Sequence, residues 1–213
     1  KVYAKLESVN PGGSIKDRPV KWILDDAEAN NLIMPGDTIV EATSGNTGVA
    51  LAMVAAIRGY HCIFTMPDKM SQEKIDLLKA YGAEVVICPT AVEPDDPRSY
   101  YSVARRLSEE LPSAYYPNQY TNLDNPLTHY ESTGPEIWKD TDGQVDYFVC
   151  GLGTGGTVSG VGRYLKEQNP AVRVVGADPV GSLYREYFET GELGEAHTYQ
   201  VEGIGEDIIP ETI

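Results

Sequence analysis

Residues 145–177 narrow the choice of fold more than any other stretch. An apolar, β-branched run (145–150) passes into Gly151-Leu152-Gly153-Thr154-Gly155-Gly156-Thr157, then a segment of helical periodicity (158–168), then a second apolar run (172–177). Strand, helix and strand in that succession imply parallel pairing, with helices laid over the faces of the sheet. The preceding residues repeat the alternation. Strands are expected at 2–6, 38–40, 61–65 and 84–88. Helices are expected from Lys16 to the Asn30-Asn31 pair, over 49–58 up to Gly59, from the Ser71 cap to Tyr81, over 98–111, and over 127–139 up to Asp142-Gly143. The fold class is therefore α/β, a mostly parallel sheet flanked by helices, and 213 residues suffice for one large or two modest domains. Residues 112–126 are polar, aromatic and irregular, which suits a crossing between domains and a loop lining a site.

Composition excludes several partners. With 17 basic and 32 acidic residues the formal net charge is −15, so the surface repels nucleic acid and anionic membranes. Any phosphate must then be bound by local backbone donors rather than by a basic patch. No apolar run approaches a membrane span, and no signal-peptide pattern opens the chain. Cys62, Cys88 and Cys150 are odd in number, far apart and set in apolar runs; they read as buried free thiols in a reducing, cytoplasmic setting. His61, His129 and His197 show no metal-ligand spacing with them, so no metal is expected. Ending just after the Ile209-Pro210 turn, the sequence reads as a piece of something longer, incomplete at both ends.

Three motifs carry chemistry. Within residues 151–156, four glycines separate a strand from a helix, leaving successive N–H groups open to an anion with no side chain in the way. Thr154 and Thr157 add hydroxyl donors. A tight turn needing positive φ accounts for only one or two of these glycines. Gly151, Gly153 and Gly156 also match G-x-G-x-x-G, with Asp178 placed where a ribose-binding acid stands in dinucleotide-binding folds. That alternative, a nicotinamide-dinucleotide site, leaves the other two motifs without a role.

The second motif, Thr43-Ser44-Gly45-Asn46-Thr47-Gly48, also lies between a strand and a helix. It mixes backbone N–H groups with side-chain donors, which suits a carboxylate, and it reads equally as an elaborate N-cap made by Ser44 or Asn46. The third, Ser14-Ile15-Lys16-Asp17-Arg18, follows the turn-rich Asn10-Pro11-Gly12-Gly13 and opens an amphipathic segment. At a helix entrance the dipole favours the neutral amine of Lys16, the form that attacks a carbonyl. A solvated lysine paired with a nearby acid is the plainer alternative.

In this order and separation the motifs resemble those of the pyridoxal-phosphate-dependent β-replacement enzymes of the tryptophan-synthase-like fold (fold type II), the cystathionine β-synthase and cysteine synthase family. The resemblance runs over essentially the whole chain. Gln119-Tyr120, Gly176-Ala177-Asp178-Pro179 and Val201-Glu202-Gly203-Ile204-Gly205-Glu206-Asp207 resemble the bacterial cystathionine β-synthases more than the cysteine synthases. The resemblance implies pyridoxal 5'-phosphate as cofactor, joined through a Schiff base to Lys16, with Asn46 on its phenolic oxygen and Gly153, Thr154, Gly155, Gly156 and Thr157 on its phosphate. It implies Thr43, Ser44, Thr47 and Gln119 for the substrate carboxylate and Tyr120 facing the incoming amino acid or thiol. Gly203 and Gly205 would belong to a loop whose lack of side chains keeps the site open.

The implied reaction condenses L-serine with L-homocysteine to L-cystathionine through an aminoacrylate. A cysteine synthase using O-acetylserine and sulfide is the enzymatic alternative, and a catalytically silent cofactor-binding scaffold is another. Implied too are a smaller mobile domain (10–121), a larger one (1–9 and 122–213), and a homodimer or higher homo-oligomer. Two departures stand out. The chain stops before the Ser-containing segment that in this family meets the pyridine nitrogen, and Glu206 stands where animal members carry a tyrosine.

Overall fold

Short β-branched runs between turns form the strands of the first of two units, Lys1–Asn118; the second is Gln119–Ile213. The computed structural model describes every residue except Ser44. In the first unit β1 (Thr38–Ala42), β2 (His61–Pro67), β3 (Glu84–Cys88) and β4 (Ala114–Tyr115) pair in parallel in the order β3-β2-β1-β4. Thr38 stands opposite both His61 and Ala114, and Ile63 opposite Glu84. Helix α1 (Asp17–Ala29) precedes β1, and α2 (Asn46–Arg58), α3 (Gln72–Ala80) and α4 (Tyr100–Glu110) make the crossovers.

Successive strand residues point to opposite faces. Ile39, Phe64 and Met66 accordingly pack with Val20, Leu24, Leu51 and Leu78 on one face, while Val40 and Ala42 pack with Ala104 of α4 on the other. Strands covered on both faces read as nearly continuous apolar runs, broken here at buried polar residues such as Glu41 and Thr65, and full burial of a side chain such as Phe64 contributes about 2–3 kcal/mol. The buried residues Val20, Ile23, Leu24 and Ala27 give α1 one apolar face. Helix α2 ends at Gly59, whose φ of +80° requires glycine and whose N–H donates to the Ala55 carbonyl at 2.8 Å.

Residues 2–6 are not a strand. Among the described residues no strand pairs with them, and without a neighbour to take up its backbone groups the segment Val2-Tyr3-Ala4-Lys5-Leu6 does not form one. A 3-10 turn, Glu7–Val9, follows instead and is tied to α1 by Arg18, whose Nε lies 2.8 Å from Glu7 Oε2.

The second unit holds a two-stranded parallel sheet, β5 (Tyr147–Gly151) and β6 (Arg173–Ala177), joined by α7 (Gly156–Gln168). Val161, Leu165 and Val172 are its core, with Ile137, Trp138 and Phe148 against them. Where one helix is expected over 127–139 there are three pieces: α5 (Asp124–Thr128), a π-helical turn (His129–Thr133) and α6 (Gly134–Asp140). Helix α8 (Tyr184–Thr190) is not anticipated by the sequence. Gly156 and Gly160 share a face of α7 and let it come down on α5 and the π turn. A Cβ on Gly160 would fall 2.1 Å from the Pro126 carbonyl oxygen, and one on Gly156 would fall 2.1 Å from Asn125 Oδ1. Both sheets are thus parallel and flanked by helices, as the α/β class requires. Among the described residues no helix is long and apolar enough to cross a membrane.

Candidate functional site

Strand β5 ends at Gly151, and the chain turns through Leu152, Gly153 and Thr154 before Gly155, at φ +85°, sets up the first turn of α7. The carbonyls of this loop are tied from downstream. Gly205 N–H donates to the Leu152 carbonyl at 2.6 Å. The Tyr184 hydroxyl donates to the Gly153 carbonyl, and the Thr212 hydroxyl to that of Thr154. In a trans peptide the carbonyl of one residue and the N–H of the next point in opposite directions. Fixing three consecutive carbonyls therefore aims the N–H groups of Gly153, Thr154 and Gly155 the other way. They join those of Gly156, Thr157 and Val158, which as the first turn of a helix have no intrahelical acceptor. Burial first, then the charges of Glu206 and Asp178 and the neighbouring Tyr199, push the Tyr184 phenol well above its ordinary range, so it remains a donor.

Three further groups shape this loop from beneath. Asn125, 1% exposed, donates through Nδ2 to the Gln119 carbonyl at 2.9 Å and to Thr154 Oγ1 at 3.0 Å. His129, also 1% exposed, lies against Thr133 and Thr157. The Tyr120 carbonyl accepts from Glu211 N–H at 3.0 Å. Asn125, Tyr184 and Thr212 were not picked out from the sequence, because nothing local marks a residue whose partner lies dozens of positions away. Gly203 and Gly205, at φ +81° and +84°, lie beside the same loop, where a Cβ on Gly153 would come within 3.0 Å of the Gly203 carbonyl oxygen.

In the first unit Lys16 is the N-cap residue of α1 and is half-buried. Its N–H faces Ser14 Oγ at 3.2 Å, and Asp17 Oδ2 accepts from Gly12 N–H at 2.6 Å, which pins the turn in front of it. At β1's end Thr43, 1% exposed, accepts from the N–H groups of Gly45 and Gly48, each at 3.1 Å. Thr43 thus supplies a cap to α2. A hydroxyl has two acceptor sites and one proton; with both acceptor sites occupied, Thr43 has only a proton to give. Asn46 is exposed and Thr47 buried, while Ser44 lies outside the described residues. Lys74 of α3 runs its stem past Gly45, where a Cβ would lie 3.2 Å from Lys74 Cδ, bringing a cation to this loop that the sequence did not reveal. The structure therefore groups Lys16 and residues 43–48 in the first unit, and the glycine loop, Gln119, Tyr120, Gly203 and Gly205 in the second.

Burial pushes the Cys62 thiol up to about 12 and that of Cys150 to about 11, so neither is a ready nucleophile.

The pyridoxal-phosphate-dependent enzyme family matches residues 1–213. The chain belongs to this family. Its members use pyridoxal 5'-phosphate, and the glycine loop fits that cofactor's phosphate: the carbonyls of Leu152, Gly153 and Thr154 are tied by other groups, which leaves the N–H groups of the loop and of the first turn of α7 as its donors to an anion. The family match leaves the dinucleotide reading of Gly151–Gly156 without support. Among relatives, the chain is 50% identical over 209 residues to a cystathionine β-synthase of Apis mellifera, covering 98% of this chain and 41% of that one. It is 45% identical over 215 residues to cysteine synthase 1 of Neurospora crassa, covering 100% and 57%. Among solved structures, an O-acetylserine-dependent cystathionine β-synthase from Helicobacter pylori superposes with a TM-score of 0.88 at 39% identity, over 98% of this chain and 65% of that one. The chain thus spans about two-fifths of the length of that Apis relative.

Proposed function

We propose that this chain carries the reaction centre of a pyridoxal-phosphate-dependent β-replacement enzyme that condenses L-serine with L-homocysteine to L-cystathionine. The observation that supports it is the glycine loop, its three carbonyls held back and its N–H groups presented together. When bound, pyridoxal phosphate supplies an aldehyde for the substrate's amino group and a ring that draws electrons from its α-carbon.

The chain's own residues do the rest. Gly153, Thr154, Gly155, Gly156 and Thr157 bind the phosphate, and Asn46 donates to the ring hydroxyl. Thr43, Ser44, Thr47 and Gln119 orient the substrate carboxylate, to which Thr43 gives the one proton its cap bonds leave it. Lys16 Nζ takes the α-proton and returns a proton to the departing β-hydroxyl. Tyr120 faces the thiol, and Gly203 and Gly205 leave it room. Residues 10–121 form the domain that moves to exclude water. A homodimer or higher homo-oligomer in the cytoplasm completes the proposal.

An O-acetylserine donor, with sulfide as the thiol, is the second reading, supported by the likeness to the Neurospora cysteine synthase. Borohydride reduction of the cofactor-loaded chain should bleach its visible absorbance and leave the label on Lys16; a label elsewhere, or none, would sink the proposal. Turnover of serine with homocysteine against O-acetylserine with sulfide then decides the substrate pair.

A further inference from the structure

The hydroxyl of Thr157 and the π-helical turn are joined through one buried imidazole. His129 Nδ1 lies 2.9 Å from Thr133 Oγ1, and Nε2 lies 3.4 Å from Thr157 Oγ1. The π turn runs from His129 to Thr133, and Gly160 lets α7 approach so closely that a Cβ there would sit 2.8 Å from His129 Cβ. Neither ring nitrogen faces solvent, and a neutral imidazole has one donor and one acceptor nitrogen.

Two arrangements follow. With the proton on Nδ1, Nε2 is an acceptor, and Thr157 meets it by giving its own proton, its lone pairs left for whatever occupies the loop. With the proton on Nε2, Thr157 accepts from the ring and its proton is released, while Thr133 donates to Nδ1. An anion at the start of α7 is served only by the second. Backbone N–H groups point one way and stay there, whereas a threonine hydroxyl rotates; this is the donor that needs setting. We infer that His129 is a positioning residue for the phosphate site: by keeping a proton on Nε2 it makes Thr157 a donor to the anion bound at the N-terminus of α7. The inference rests on the phosphate reading of the glycine loop proposed above.

Histidine-selective 15N NMR of the full chain carrying pyridoxal phosphate should show Nε2 of His129 protonated; a ring protonated on Nδ1 alone would overturn the inference. Titrating cofactor into the stripped chain gives a second readout. His129→Phe should raise the dissociation constant about tenfold, and His129→Gln, whose amide reaches the position of Nε2, no more than about threefold. In a Thr157→Val background His129→Phe should add nothing. Equal losses in Phe and Gln variants, or an undiminished loss beside Thr157→Val, would overturn the inference while leaving the phosphate reading intact. If His129→Phe does not fold, the spectrum and the Gln variant carry the decision. A wild-type chain that takes up no cofactor would overturn both.

Discussion

The side-chain amide of Asn125 donates to the Thr154 hydroxyl oxygen at 3.0 Å while also holding the Gln119 carbonyl at 2.9 Å. One buried group thereby links the loop proposed for the phosphate to the residue proposed for the substrate carboxylate. Asn125→Ala should destabilise the second unit by about 2–3 kcal/mol, two buried hydrogen bonds being lost without water to replace them. Asn125→Asp should weaken cofactor binding further, because it sets a carboxylate against an anion site. Urea unfolding and cofactor titration measure the two effects, and wild-type values for both variants would disprove the link.

Gly156 has no room for a methyl group, its Cβ position lying 2.1 Å from Asn125 Oδ1. Gly156→Ala should cost about 1–3 kcal/mol as the buried amide is pushed aside. Beside Asn125→Ala the same substitution should cost much less, a coupling that a double-mutant cycle reads directly. Simple additivity would show that the strain lies elsewhere.

Thr43 gives a cleaner separation of structure from binding. Thr43→Val removes the acceptor for Gly45 and Gly48 and should cost about 1–2 kcal/mol of stability. Thr43→Ser should restore most of that. In turnover assays Thr43→Val should raise KM for the amino acid more than it lowers kcat, since a carboxylate donor is lost and the reacting atoms are untouched.

Tyr60 donates to Glu28 Oε1 at 2.5 Å. Burial first, then that bond and the charge of Glu28, raise its phenol to about 12. The folded state thus keeps a proton that the unfolded chain releases near pH 10, roughly the free phenol's value. The contribution is complete below about pH 10 and fades as pH climbs to about 12. The stability gap between wild type and Tyr60→Phe, about 1 kcal/mol at neutral pH, should shrink between about pH 10 and 12 and be flat below; a gap that widens with pH would contradict the assignment.

How much of this was legible beforehand differs between the units. The strands around Ile39 and Phe64 and the glycines that start α2 and α7 announce themselves, because burial on both faces and positive φ each demand particular residue types, whereas β3 at the sheet edge, with Val86 and Ile87 exposed, shows itself only by its run of β-branched residues. β4 escaped notice, since Ala114 and Tyr115 are too few to show a period. The break at His129–Thr133 is invisible for another reason: residues 127–139 have good helical periodicity, and only the approach of Gly160 shows why an extra residue is fitted in. Glu41 is the clearest miss. It sits fully buried in β1, and its Oε2 takes the N–H of Asn118, at φ +46°. A carboxylate in the middle of an apolar run looks like an accident until its partner, far along the chain, is seen.

Thr212 donates to the carbonyl of Thr154, 58 residues earlier. On the ribosome the glycine motif therefore emerges well before the group that orients it, with Tyr184 and Gly205 arriving in between. A nascent chain arrested short of that threonine has the letters of the motif without its shape. Cofactor capture in the cell should accordingly mark the closing of the second unit, and not the moment the motif is translated.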